Sequence, residues 1–309
     1  ENSRRNPTPS MFYLASRYNE PALAAEELAF LSNNKGEVQH LVWYPPASMI
    51  GGERLEIPLD AFFNGTVETL YMRGGHDPDD VFVPFKAGFN QVNHAHLDLG
   101  NFEFDALDVR WARDLGSDNY SLPGYWESGA KGRRWSYFRM GSFSHNILTF
   151  GGTQQKQTAK SKFARHSIGT NEPFGIVEVT GAYPQITGSL LRGVKLLGGR
   201  TAMLVQDEFD LLKSTEIAWG MTTDAKVLLQ GSTARLSQDG QEMVATIIEP
   251  SGAKFTVEAA PNHPKAQSNK GVSRLMIRVN GREGAHRFVV QLSPVWPKGG
   301  ALSPVSSKP

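Results

Sequence analysis

The 309-residue chain concentrates its candidate chemistry between residues 88 and 146. Asn93-His94-Ala95-His96-Leu97-Asp98 leads into an alternating segment that reads as a strand. On an extended backbone His94 and His96 would project to one face. Two imidazoles at i and i+2 can share one metal, or one can bind metal while the other faces a ligand. Asp114 follows 18 residues after His96, and His145 follows 31 residues after Asp114. Two histidines and a carboxylate suit zinc, leaving a fourth position for water or another group. The ordinary alternative is a histidine that only satisfies local hydrogen bonds, and an HxH pair with a downstream Asp and His is built from common residues. His40, His76, His166, His263 and His286 stand singly and read as surface or core residues.

A second cluster follows. Tyr120, Tyr125, Trp126, Lys131, Arg133, Arg134, Trp135, Tyr137 and Arg139 interleave aromatic and basic residues within twenty positions. Aromatic faces stack on sugar rings, and arginine forks pair with carboxylates or sulfates. Trp126, Arg134 and Tyr120 are the candidate substrate contacts. The plain alternative is a basic surface loop over two or three core aromatics. Nucleic acid would use the same residue types. With 32 Lys+Arg against 31 Asp+Glu, however, the net charge is only +1, which argues against a nucleic-acid partner.

These residues need a scaffold, and the composition describes one. Hydrophobic content of 39% and charged content of 20% are those of a globular chain. No apolar stretch approaches the ~20 residues that span a bilayer, so no membrane partner is expected. Zero cysteines exclude disulfides, thiolate zinc sites and cysteine nucleophiles. The chain opens on Glu1, and no charged-then-apolar segment precedes Asn2-Ser3-Arg4-Arg5, so it reads as a fragment or processed product.

Residues 1–48 carry helical period. Pro7-Thr8-Pro9-Ser10 signals one helix start and Pro21 another, with Gly36 as the expected cap of the second. From residue 49 to 309 the pattern is short alternating runs between Gly, Asn, Asp and Pro, such as Glu68–Arg73, Val81–Phe85 and Arg274–Val279. Many short strands without crossover helices predict a mainly β fold, a large antiparallel sandwich preceded by a few helices. The Pro-, Ser- and Gly-rich run from Pro294 to Pro309 reads as a mobile end.

Three ordered groups of residues resemble the heparinase II/III-like polysaccharide lyases. They are Phe85-Lys86-Ala87-Gly88 with Asn93-His94-Ala95-His96-Leu97-Asp98-Leu99-Gly100-Asn101-Phe102, then Asp114-Leu115-Gly116, then Ser144-His145-Asn146-Ile147-Leu148. Arg192–Leu197, Leu204–Glu208 and Trp219–Thr223 continue the likeness, which covers roughly residues 60–225. The resemblance implies an N-terminal (α/α) toroid packed on a β-sandwich with the substrate cleft between them. Residues 1–48 would then be the last helices of a toroid whose remainder is missing from this chain.

The resemblance also implies roles. His96, Asp114 and His145 would hold a structural zinc, His94 would face the cleft, and Asn93 would lie near the substrate carboxylate. Tyr125 is the best match for a sandwich tyrosine, with Tyr120 and Tyr137 as rivals. The implied partner is an anionic, uronate-containing polysaccharide of glycosaminoglycan or alginate type, and the implied location is periplasmic or secreted. The family's principal base lies in its toroid, so the chain alone would lack part of the site. Homo-oligomerisation stays open.

Two other readings compete. A cupin-type metal oxygenase would share Gly88 and the HxH, but its acidic ligand should fall four or five residues after His96, where Gly100 and Asn101 stand. A non-catalytic carbohydrate-binding sandwich would keep the fold and metal, yet Asn93 and His94 are both present.

Overall fold

The computed structural model describes residues 6–53 and 56–305. Residues Glu1–Arg5, which bear on the reading of the chain as a processed product, and the last four residues of the tail lie outside them. The chain divides into two compact units, residues 1–58 and 59–309. The change of sequence pattern after residue 48 falls before this division. The intervening turn Ala47–Met49 belongs with the helices, because Met49 packs in their core and Gly52 lies against Pro21.

In the first unit, helices run over Ser10–Tyr18, Pro21–Leu31 and Val38–Val42. Pro21 sits at a helix start, where its missing N–H leaves no bond unmade. This helix ends at Leu31, capped by Ser32, whose hydroxyl donates to the Ala29 carbonyl at 2.7 Å. Gly36, the expected cap, therefore lies beyond the helix end. Phe12, Ala15 and Ala24 form the buried contact between helices. The buried Glu27 carboxylate accepts from the Thr8 amide at 2.7 Å and meets His40 Nε2 at 2.9 Å, tying the unit's first turn to its last helix.

The second unit consists of three antiparallel sheets. A five-stranded sheet runs in the order Ala61–Phe63, Thr69–Arg73, Phe82–Lys86, Phe104–Ala106, Val109–Ala112. A nine-stranded sheet has Thr187–Leu197, Ala202–Leu211 and Gly284–Pro294 near its centre, and Lys160–Ser167 with Gly88–Phe89 at one end. A four-stranded sheet is built on Thr215–Thr223 and Ser273–Gly281, paired in register from Thr215↔Gly281 to Thr223↔Ser273.

Alternating strands such as Thr69–Arg73 bury every second side chain, as a sheet with one covered face requires. Thr215–Thr223 is instead buried along almost its whole length, so it carries no period-2 signal. One core joins the sheets, with Trp111, Trp219, Phe85, Phe104, Phe150 and Phe288 buried in it.

The tail is pinned over its described length, contrary to the expectation of a mobile end. Gln291, buried in the Gly284–Pro294 strand, donates to the carbonyls of Leu302 and Ser303 and accepts from the Val305 amide. Trp296 Nε1 donates to the Thr201 carbonyl at 2.9 Å.

Candidate active site

The HxH segment is a loop of turns, and it does not present both histidines to one face. His94 adopts φ +59°, the left-handed region that non-glycine residues rarely occupy. The two rings consequently diverge. His94 lies 5.6 Å from the Trp126 ring and 6.1 Å from the Tyr120 ring, whereas His96 lies 5.3 Å from the ring of His145. The loop is fixed on both sides of His96: Ala95 N–H donates to the Val92 carbonyl and Leu97 N–H to the Met140 carbonyl, each at 3.1 Å.

On the His96 side, His96, Asp98, Asp114 and His145 bring one donor atom each within 4.8 Å of one another, a group that can hold a metal ion. Asp98 was absent from the sequence-based ligand set, although it stands only two residues beyond His96. Burial lowers the His96 pKa to about 4, with His145 adding to the effect, so its imidazole is neutral and has a lone pair to offer. His145 Nδ1 lies 2.8 Å from Asp114 Oδ2, while its Nε2 is buried with no hydrogen-bond partner.

A buried orphan nitrogen is costly unless something absent from the protein chain uses it. A carboxylate on the opposite ring nitrogen is also how metal-bound imidazoles are commonly oriented. Burial works to raise the Asp114 pKa, but His145 and its hydrogen bond outweigh it and hold the carboxyl well below the usual range. Burial opposes ionisation of Asp98 as well, and Lys86, whose Nζ lies 2.8 and 2.9 Å from its two oxygens, reverses the balance. The donor set therefore fits a divalent metal with nitrogen and oxygen ligands.

On the His94 side a pocket of about 250 Å³ is walled by Asn93, His94, Ala95, Trp126, Arg134 and Trp135, among others. Trp126 is 56% exposed and Tyr120 47%, so both present open aromatic faces beside His94. Tyr125 differs, being 1% exposed beneath them in a small core with Leu97, Leu122, Trp135, Tyr137 and Met140. Tyr137 is buried in the same core, its hydroxyl donating to the Pro123 carbonyl.

Arg134 is 3% exposed. Its Nε and Nη2 donate to the Ala95 carbonyl at 3.1 and 2.8 Å, its Nη1 donates to the Tyr125 carbonyl at 3.0 Å, and its guanidinium lies 4.6 Å from the Tyr125 ring centre. The expected substrate fork is thus committed to the protein's own backbone.

A buried polar frame, which the sequence did not reveal, carries both halves. Asn101 Nδ2 donates to Asp114 Oδ2 while its Oδ1 accepts from the Asn146 amide, linking a candidate ligand to the residue after His145. Arg192 pairs with Asp207 and also donates to the carbonyls of Gly100 and Asn146. Arg274 donates to the His145 carbonyl at 2.8 Å. Gln155 holds both the N–H and the carbonyl of Leu99 at 2.9 Å. Each of these groups is isolated in sequence and gains meaning only from long-range contacts.

Residues 76–291 match the family model described as heparinase II/III-like, C-terminal. Among solved structures, the chain is similar to the heparan sulfate lyase HepC from Pedobacter heparinus, with a TM-score of 0.66, 15% identity, and coverage of 92% of this chain and 42% of that one. A heparinase III gene product gives 0.65 and 17%, covering 90% of this chain and 41% of that one. A further heparinase III gives 0.62 and 14%, with 91% and 42% covered. At these identities the likeness shows the fold. The chain spans about two fifths of the length of these structures. Comparison with curated proteins finds no match.

Proposed function

The chain belongs to the heparinase II/III-like family, and on that premise we propose that it supplies the sandwich half of a polysaccharide-lyase site that cleaves uronate-containing chains by β-elimination. The observation that carries this reading is the divergence of two histidines separated by the single residue Ala95. His94 lines an aromatic pocket while His96 lies in the metal-competent cluster.

In β-elimination the C5–H bond of a uronate breaks, its electron pair forms the C4=C5 double bond, and the C4–O bond breaks to release the leaving chain. The C5 proton becomes removable when the neighbouring carboxylate is neutralised as charge builds on it. Asn93 and His94 are placed to donate to that carboxylate, and one such donor contributes about 10²–10³ in rate. Trp126 offers its open face to a sugar ring. The proton shuttle falls to Tyr120 in place of Tyr125, because the Tyr120 ring is exposed beside His94 and the Tyr125 ring is buried. A positioned shuttle is worth about 10²–10⁴.

His96, His145, Asp114 and Asp98 would hold zinc, which when bound would cross-link three loops of the sandwich. A polymer of this kind meets its enzyme in the periplasm or outside the cell, where we place the protein. Among the described residues no helix is long and apolar enough to cross a membrane.

The test is incubation of the sandwich together with the toroid half it would complete, with alginate, heparan-type and chondroitin-type chains, while following ultraviolet absorbance of the unsaturated product. Absorbance rising with one polymer class and lost in His94→Asn supports the reading. Tight binding of a uronate without any product would make the protein a carbohydrate-binding sandwich.

A further inference from the structure

We propose that the outer face of the Lys160–Ser167 strand is a second binding site, a cationic track that holds the anionic polysaccharide beyond the pocket. It rests on the polysaccharide reading above for its ligand class. The strand reads Lys160-Ser161-Lys162-Phe163-Ala164-Arg165-His166-Ser167. Ser161 is buried, and Phe163 turns to the core side, where its ring meets Phe62 and Phe85 at 5.3 Å each. Lys160 and Lys162 alternate with them and are exposed on the opposite face.

Strict alternation would next place Ala164 outside and Arg165 inside. The register shifts between Phe163 and Arg165, so that Phe163 pairs with buried Val177 and Arg165 pairs with Ile176. This one-residue bulge returns Arg165 to the face that carries the two lysines. At about 3.3 Å per residue, the three cations extend over roughly 15 Å.

The track starts at the pocket. Lys160 pairs with Phe89, its Nζ 4.7 Å from that ring's centre, and the next residue, Asn90, lines the pocket of His94. At the far end the Arg165 guanidinium lies 5.8 Å from the Phe174 ring.

Other strands of the same sheet pair cations with carboxylates, Lys195 with Glu172, Arg192 with Asp207 and Arg287 with Glu249. Among the described residues Lys160, Lys162 and Arg165 enter no ion pair. The carboxylate opposite Lys162, that of Glu178, accepts from the Thr180 amide at 2.9 Å. Three unpaired cations on one face, in a chain of net charge +1, mark a surface complementary to a polyanion. A chain held in the pocket and on the track at once gains from the high effective concentration of the second contact.

The experiment uses the triple variant Lys160→Ser, Lys162→Ser, Arg165→Ser, whose positions are all exposed. The first probe is dextran sulfate, a polyanionic polysaccharide without uronate, so this arm reads the track even if no uronate proves to be a substrate. At about 0.15 M ionic strength, binding should weaken about tenfold in the variant, the sum of three modest surface charge contacts.

The second arm compares a long uronate chain with a tetrasaccharide. KM should rise about tenfold for the long chain alone, with kcat unchanged for both. Unchanged dextran sulfate binding overturns the proposal, as does an equal rise in KM for long and short substrates. So does tighter binding of single-stranded DNA than of dextran sulfate. Self-association of the variant with unaltered polyanion binding would also overturn it, since the charges would then merely guard a sheet edge.

Discussion

The guanidinium of Arg134 grips the carbonyl of Ala95 with two N–H donors, at 3.1 and 2.8 Å, and Ala95 is the residue between His94 and His96. Arg134 thereby helps to hold the turned segment between the two histidines. A third donor reaches the Tyr125 carbonyl.

A positioning role and a substrate-charge role predict different things for Arg134→Lys. A lysine keeps the charge but cannot bridge two carbonyls in a planar fork. We expect Arg134→Lys and Arg134→Met to fail alike, with kcat falling and KM for substrate little changed. Arg134→Met leaves the buried Tyr125 carbonyl and the half-buried Ala95 carbonyl short of donors, at about 1–3 kcal/mol for a buried unsatisfied group, which thermal melts will show. Near-normal kcat in the lysine variant beside an inactive methionine variant would restore Arg134 as a substrate contact.

His94 should separate from the metal site. Because its backbone is left-handed, asparagine is a gentler replacement than alanine. His94→Asn should keep its metal content and melting temperature, yet lose about 10²-fold or more in kcat, as expected for a group acting in the transition state. Tyr120→Phe should lose activity to a similar degree, and Tyr125→Phe much less. Metal analysis beside kcat for each variant decides it, and loss of metal in His94→Asn would make His94 a ligand.

The two carboxylates of the cluster should be unequal. Asp114 is shared between His145 Nδ1, the Asn101 amide and the Gly116 N–H, whereas Asp98 faces Lys86. Removing Asp114 therefore frees His145 to turn as well as deleting a donor oxygen. Asp114→Asn should lower zinc affinity more than Asp98→Asn, with about 10–100-fold expected for a group that only orients a ligand. Competition with a chromophoric chelator measures both. An intact affinity in Asp114→Asn would show that Asp98 and the histidines suffice.

The sequence and the structure meet where chemistry is local. The HxH run, Asp114 and His145 could be read as a candidate site because they stand in the order of the heparinase II/III-like motifs. Strands with one covered face, such as Thr69–Arg73, announce themselves by alternation. Thr215–Thr223 does not, since it is covered on both sides. The turn at His94 also escaped. The residues themselves fit a strand, and the turned form is held in part from far along the chain, by Arg134, 39 positions away from Ala95 in sequence, and by the Met140 carbonyl. Burial likewise divided the aromatic-basic run in a way that spacing could not, placing Tyr125 and Arg134 inside and Tyr120 and Trp126 outside.

The protonation of His96 gives the fold without metal a pH dependence of definite sign. In the folded chain burial and the neighbouring His145 lower its pKa from 6.5 to about 4. The unfolded chain therefore takes up this proton first as pH falls, and stability drops with it. The contribution of neutral His96 is fully present above pH 6.5 and declines from there until the folded pKa, about 4, is reached. Metal-free wild type should thus lose melting temperature through this window more steeply than metal-free His96→Gln, which has no proton to take up at that position. Zinc bound to the folded state alone should raise the melting temperature at neutral pH, and acid should remove that gain because protons compete for the imidazoles. Parallel melting curves for wild type and His96→Gln across the same range would show that His96 is not held neutral by burial, and the lone pair offered to a metal would lose its physical basis.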